Sequence, residues 1–358
     1  MSYFKKGKPF IIAGPCSAET KTQILETADA LSSLNIDLFR AGIWKPRTRP
    51  GAFEGNGVLA LEWLAEVKNI YNLPVTIEVA ETNHIEEALM NNIDVIWIGA
   101  RTTVNPFQVQ QLADALQGVS IPVMIKNPVN PDVDLWLGAI ERFEKAGITN
   151  IAAIHRGFSS YNKPTGYRNQ PNWTLPIELK RRRPELPIFC DPSHITGNRD
   201  MVVEVAQKAM DMHFDGLMIE THPRPDEAWT DAAQQITPLQ LQELLTHLII
   251  RQEFTEDMNS HTKLENLRLI MDSFDAEIID IIARRMELSE EIGKVKKECN
   301  MTIYQPARWQ EMLKAREERA LNNNLHKDFI IELFEKLHNE SIRIQLSVLE
   351  NVLNEIKK

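Results

Sequence analysis

The sequence predicts an α/β chain of two parts, a (β/α)8 barrel followed by an all-α unit of three helices. Three observations lead there. Eight apolar, β-rich runs alternate with amphipathic stretches through about residue 250, a polar break covers 251–262, and only helical periodicity follows it. At 358 residues the chain is long for one domain and sufficient for two, each burying its own core. We place the barrel at 1–252, a linker at 253–262 and the helical domain at 263–358.

The strands are read at PFIIAG from Pro9, DLFRAG from Asp37, PVTIEVA from Pro74, DVIWIGA from Asp94, PVMIKN from Pro122, NIAAIHR from Asn150, PIFCDPS from Pro187 and GLMIET from Gly216. Each is apolar on both faces, as strands buried in a parallel sheet are, and helical patterns such as TQILETADALSSL and RDMVVEVAQKAMDMH separate them. A doubly wound open sheet shares this alternation, but eight repeats over about 250 residues favour closure.

A residue capable of chemistry stands at or just beyond the end of every strand: Cys16, Arg40, Glu78, Arg101, Lys126, Arg156, His194 and Glu220. A parallel barrel gathers these ends at one mouth, so the series points to an active site there. After the second strand, residues 40–57 set Arg40, Lys45, Arg47 and Arg49 among prolines and glycines, the composition of an anion-holding loop and equally of a solvated turn. Cys16, His194, Glu220 and Asp231 would make a mixed sulfur, nitrogen and oxygen ligand set, suited to Mn2+, Fe2+, Zn2+ or Co2+ more than to Mg2+ or Ca2+. Spacing alone does not establish that site.

Beyond the break one helix is expected from Leu264 to about Cys299, its apolar residues three or four apart, then helices near 306–322 and 327–357. Three helices make a poor core alone, so self-association into at least a homodimer is expected. Arg285 and Lys296 share a face about 16 Å apart, whereas Arg268 lies about 25 Å before Arg285 and about 100° round the axis. A single site using both arginines therefore takes Arg268 from a second subunit.

Composition narrows the partners. A formal charge of −10 argues against a nucleic-acid binder working through a broad positive field. The start MSYFKKGKPF lacks an apolar signal region, and no run approaches the roughly 18 apolar residues of a membrane span. Three scattered cysteines point to a reducing, cytoplasmic location.

GPCS from Gly14, KPRT from Lys45, GART from Gly99, IKNP from Ile125, HRG from His155, DPSH from Asp191 and the eleven-residue step from Glu220 to Asp231 resemble the type I-beta 3-deoxy-D-arabino-heptulosonate-7-phosphate (DAHP) synthases. The resemblance runs through the whole first domain. It implies a TIM barrel with one divalent ion, Mn2+ foremost, on Cys16, His194, Glu220 and Asp231. It further implies condensation of phosphoenolpyruvate with erythrose 4-phosphate, with Arg40, Lys45, Arg101, Lys126 and Arg156 clamping the first and Arg47 and Thr48 the second. Lys45 and His194 are then the candidate proton carriers. The octulosonate 8-phosphate synthases share the barrel and the clamp but carry an Asn-Arg loop, so Pro46 and Arg47 favour the four-carbon sugar.

Residues 264–350 resemble the all-helical chorismate mutases, with Arg268, Arg285, Lys296, Arg308, Ser341 and Gln345 matching that family's site residues. This implies an intertwined dimer converting chorismate to prephenate without a cofactor, Lys296 and Gln345 donating to the ether oxygen. Gln305 and Trp309 depart from the pattern, where Asp and Glu are common, which puts mutase efficiency in question. A rival reading makes this region a non-catalytic dimerisation and sensing module. In either case prephenate or chorismate bound there is expected to feed back on the barrel.

Overall fold

The computed structural model describes residues 3–4, 7–45, 51–160, 166–252 and 254–356. It divides into two compact units, Met1–Glu253 and Phe254–Lys358.

In the first unit the strands are β1 (Phe10–Gly14), β2 (Leu38–Arg40), β3 (Val75–Val79), β4 (Val95–Ile98), β5 (Val123–Lys126), β6 (Ile151–His155), β7 (Ile188–Cys190) and β8 (Gly216–Glu220). Each of the eight anticipated runs supplies one. They pair in parallel in chain order, and β8 returns to β1 through a ladder from Phe10 against Gly216 to Gly14 against Glu220. That ladder rules out the open doubly wound sheet.

Strand alternation builds two layers of core. Phe10, Ile12, Leu38, Val95, Trp97, Met124, Ile154, Phe189 and Met218 fill the lumen, while Ile11, Ala13, Phe39, Ile77, Ile125 and Ile219 pack under the helices. Phe4 joins the lumen edge-on to Phe10 and Phe189, both at 5.7 Å. Each such buried Val, Leu, Ile, Phe or Met side chain contributes about 1.5–3 kcal/mol, and the aromatic pairs about 0.5–1.5 kcal/mol more. The lumen is thus a packed plug, and polar groups are confined to its mouth. Local signals fix the helices around it: Asp132 caps Val133–Lys145, and Thr237 with Gln240 forms a capping box on Pro238–His247.

The second unit holds helices Met258–Glu298, Pro306–Asn322 and Lys327–Ile356. The first begins at Met258 rather than at Leu264, inside the stretch read as linker, because the Asp257 carboxylate accepts from the Ser260 amide at 2.9 Å and caps it. At 41 residues it is about 60 Å long. Gly293 lets the third helix cross closely, since a Cβ there would sit 3.2 Å from the Gln345 Cα. Little else is enclosed. Leu267, Ile270, Phe274, Ile278 and Ile281 of the long helix each remain more than half exposed, an apolar stripe without cover within one chain. No helix among the described residues is long and apolar enough to cross a membrane.

Candidate active sites in the barrel and the helical unit

At the barrel mouth the residues just past β1, β7 and β8 converge. Cys16 Sγ, a Glu220 carboxylate oxygen and an Asp231 carboxylate oxygen lie within 4.8 Å of one another. Sγ is 3.4 Å from Asp231 Oδ2 and 3.2 Å from Lys45 Nζ. Lys45 reaches it by crossing Gly42, where a Cβ would come within 2.3 Å of the lysine stem; only glycine fits beneath that side chain. Burial, then Glu220, pushes the Cys16 thiol up to about 12, while Lys45 and Arg40 pull the other way. For Asp231 burial opposes ionisation, but His194, Arg168 and Lys45 hold its carboxyl well below the usual range.

His194 stands beside this group rather than within it, its Nε2 3.7 Å from Glu220 Oε1. It is lifted there by the short helix Pro192–Thr196, whose first turn Asp191 caps through the His194 amide. Asp191 Oδ2 also meets His194 Nδ1 at 2.8 Å and Lys126 Nζ at 2.9 Å, with the carboxylate fully buried. Burial, outweighing Asp191, lowers the His194 imidazole below its ordinary value. A thiol and two carboxylates meeting at one spot, with an imidazole beside them, fit a borderline divalent ion, and the thiol must shed its proton to bind.

Facing this set is a cationic wall. Arg40 is 1% exposed, ion-paired to Glu220 at 3.1 Å and set over the Trp97 ring at 5.1 Å, and its Nε and Nη1 have no hydrogen-bond partner among the described residues. Lys126 shares the same ring at 5.9 Å. Trp97 Nε1 in turn donates to Glu78 Oε2 at 3.2 Å. Arg156 is fixed by its own amide, which donates to Asn127 Oδ1 at 2.7 Å; burial lowers it to about 10, so it stays charged at neutral pH. Arg101 stands just beyond the end of β4, in the short helix Ala100–Thr103. Arg47 and Thr48, with Arg49, lie outside the described residues.

In the helical unit four of the six expected residues meet. Arg285 Nη1 donates to Ser341 Oγ at 2.6 Å and to Leu337 O at 3.1 Å, and Lys296 Nζ donates to Gln345 Oε1 at 3.1 Å and to Ile303 O at 2.5 Å. These partners are neutral oxygens, so the cations keep charge for a ligand. The other two stand apart: Arg268 pairs with Glu265 and Arg308 with Glu311, both at the surface. Trp309 stacks on His338 at 3.9 Å and 8°, replacing a carboxylate position by an aromatic wall.

Sequence reasoning missed Asp191, Arg168, Gln234 and His338. His338 left a signal, since it shares the face of Ser341 and Gln345 at helical spacing. Asp191 left one too, standing before Pro192 as the cap of the helix that carries His194. Arg168 and Gln234 act through contacts between distant segments, which no local pattern encodes.

Residues 5–260 match the model of the DAHP synthetase I family, and residues 267–346 match that of chorismate mutase type II. The phospho-2-dehydro-3-deoxyheptonate aldolase of Thermotoga maritima is 33% identical over 226 residues, which are 63% of this chain and 64% of that protein, so under two thirds of that relative is spanned. A 2-dehydro-3-deoxyphosphooctonate aldolase of Francisella tularensis subsp. holarctica is 28% identical over 281 residues, covering 70% of this chain and 96% of its own. A crystal structure of the Thermotoga maritima DAHP synthase aligns with a TM-score of 0.61 at 30% identity over 68% of each chain. On the match over residues 5–260, the chain belongs to the DAHP synthetase I family, and it carries behind its barrel a region matching chorismate mutase type II.

Proposed function

We propose that the chain is a bifunctional enzyme of the shikimate pathway. Its barrel condenses phosphoenolpyruvate with erythrose 4-phosphate to DAHP and phosphate, and its helical unit rearranges chorismate to prephenate. The observation that carries the first activity is Arg40, a buried guanidinium with two donor nitrogens unfilled among the described residues. Such donors are costly to leave bare, and an anionic group fills them.

Arg40, Lys126, Arg156 and Arg101 hold the phosphate and carboxylate of phosphoenolpyruvate, and Arg47 and Thr48 hold the phosphate of the aldose. A divalent ion on Cys16, His194, Glu220 and Asp231, with Mn2+ the first choice and Fe2+, Zn2+ and Co2+ the others, supplies a Lewis acid for the aldehyde oxygen. With both substrates fixed, C3 of phosphoenolpyruvate bonds to the aldehyde carbon while water adds at C2 and phosphate leaves. Lys45, whose ammonium overhangs the Cys16 thiol, delivers a proton to the aldehyde oxygen as it becomes the new hydroxyl; His194 is the second candidate.

In the helical unit Arg285, with Arg308 and the Arg268 of a second copy, binds the substrate dianion in its compact form. Lys296 and the Gln345 amide donate to the ether oxygen as its bond to carbon breaks, and no base or nucleophile is needed. The exposed apolar stripe of the long helix supports a homodimer. Location in the cytoplasm, and inhibition of the barrel by prephenate or chorismate bound to the helical unit, belong to the same reading.

Steady-state kinetics of the full-length protein test it, with both reactions run with and without prephenate. We expect turnover in both and slowed condensation when prephenate is present. A dimer that binds prephenate but leaves chorismate unchanged makes the helical unit a sensing module. Faster condensation with arabinose 5-phosphate than with erythrose 4-phosphate makes the barrel an octulosonate enzyme.

A further inference from the structure

Arg168 belongs to no motif, yet it touches the ligand cluster from outside. One nitrogen, Nη1, reaches Asp231 Oδ1 at 3.0 Å and Gln234 Oε1 at 2.5 Å. With its oxygen so engaged, the Gln234 amide turns its nitrogen inward, 2.6 Å from Glu220 Oε2 and 3.5 Å from Asp231 Oδ2. Gln234 is 1% exposed, and turning its amide over would set its nitrogen against the Arg168 guanidinium and its oxygen against the Glu220 carboxylate. Asp231 is left with Oδ1 on Arg168 and Oδ2 aimed at Cys16.

The arginine is itself held in place. Its stem lies on the bare face of Gly197, where a Cβ would come within 2.5 Å of the Arg168 Cβ, and Gly197 has φ +65°, ending the helix that carries His194. The Arg168 amide donates to Thr196 O at 3.1 Å, and the next residue, Asn169, donates from Nδ2 to His194 O at 2.6 Å. Residues 168 and 169 therefore brace two of the four expected ligands, Asp231 and His194, from one short segment, and reach a third, Glu220, through Gln234.

We infer that Arg168 and Gln234 are positioning residues that hold the carboxylates of Asp231 and Glu220 in the orientation a divalent ion requires. This rests on the metal-dependent reading of the barrel. Groups hydrogen-bonded behind metal ligands typically govern affinity by about 10- to 100-fold. A contrary role is also physical: a guanidinium on a ligand carboxylate competes with an incoming cation, and its removal then tightens binding.

Mn2+ binding to the metal-stripped full-length protein, followed by calorimetry, separates the two signs. We expect Arg168→Met and Gln234→Leu each to weaken Mn2+ binding about 10- to 100-fold, Arg168→Lys to recover part of the loss, and the double variant to lose less than the product of the two. The visible spectrum of the Co2+-loaded variants shifts as well, a change that a merely structural role leaves alone. Equal or tighter Mn2+ binding by a folded Arg168→Met, with Gln234→Leu unchanged, overturns the inference while the metal reading stands. A wild-type protein that binds none of the four ions overturns both.

Discussion

Lys45 Nζ lies 3.2 Å from Cys16 Sγ, so a group expected to move a proton and a group expected to bind a metal share one contact. Their replacements separate the roles. Cys16→Ser replaces a soft sulfur donor by a hydroxyl, and we expect Mn2+ affinity to fall more than about tenfold, read as metal bound per chain after dialysis. Lys45→Met leaves the donor set whole. It is expected to keep its metal and lose about 10²- to 10⁴-fold in condensation rate. Full activity and metal content in Cys16→Ser would remove that thiol from the site.

Asp191 joins Lys126 and His194 in a carboxylate with no solvent exposure. Asp191→Asn keeps the shape and the helix cap but leaves the Lys126 charge buried without a counter-ion. Breaking a buried pair in this way costs about 3–5 kcal/mol, so denaturant unfolding of the variant is expected to shift by that amount. An unchanged midpoint shows Lys126 finding another partner.

Much of this architecture was legible in sequence because a parallel barrel writes itself locally. PVTIEVA and GLMIET announce buried strands by composition, and the chemistry follows because every strand ends at the same mouth. Contacts between loops were not legible. Arg168 meets Asp231 across 63 positions and Lys126 meets Asp191 across 65, pairings set by the closure of the barrel rather than by any spacing. The start of the long helix was misplaced for a smaller reason: Asp257 is a sound cap, but the polar run 259–262 behind it masks the periodicity.

His155 gives the barrel an acid sensitivity of its own. The imidazole is buried against Trp173 at 5.1 Å and Phe158 at 5.7 Å, and burial, then the adjacent Arg156, lowers it to about 3. A base whose folded value lies below its unfolded value of 6.5 binds more protons unfolded, so stability is complete above pH 6.5 and declines as pH falls toward 3. From pH 7 to pH 5 this one residue should cost about 2 kcal/mol. His155→Phe should remove about that much of the difference between denaturation curves at the two pH values; an unaltered difference assigns the acid sensitivity elsewhere.

Arg268 and Arg285 supply the strictest test of the helical unit. They lie on one helix, yet Arg285 is bonded to Ser341 while Arg268 pairs only locally with Glu265, as a residue destined for a partner's site would. Arg268→Ala and Arg285→Ala homodimers should each lose chorismate turnover. In a mixed dimer one site collects both lesions and the other collects none. Unfolding and refolding the two variants together in equal amounts makes half of the dimers mixed, so about a quarter of wild-type sites should return. No recovery, with mixed dimers demonstrated by native mass spectrometry, places Arg268 and Arg285 in the same subunit's site, whereas full turnover by the Arg268→Ala homodimer leaves Arg268 with no part in it.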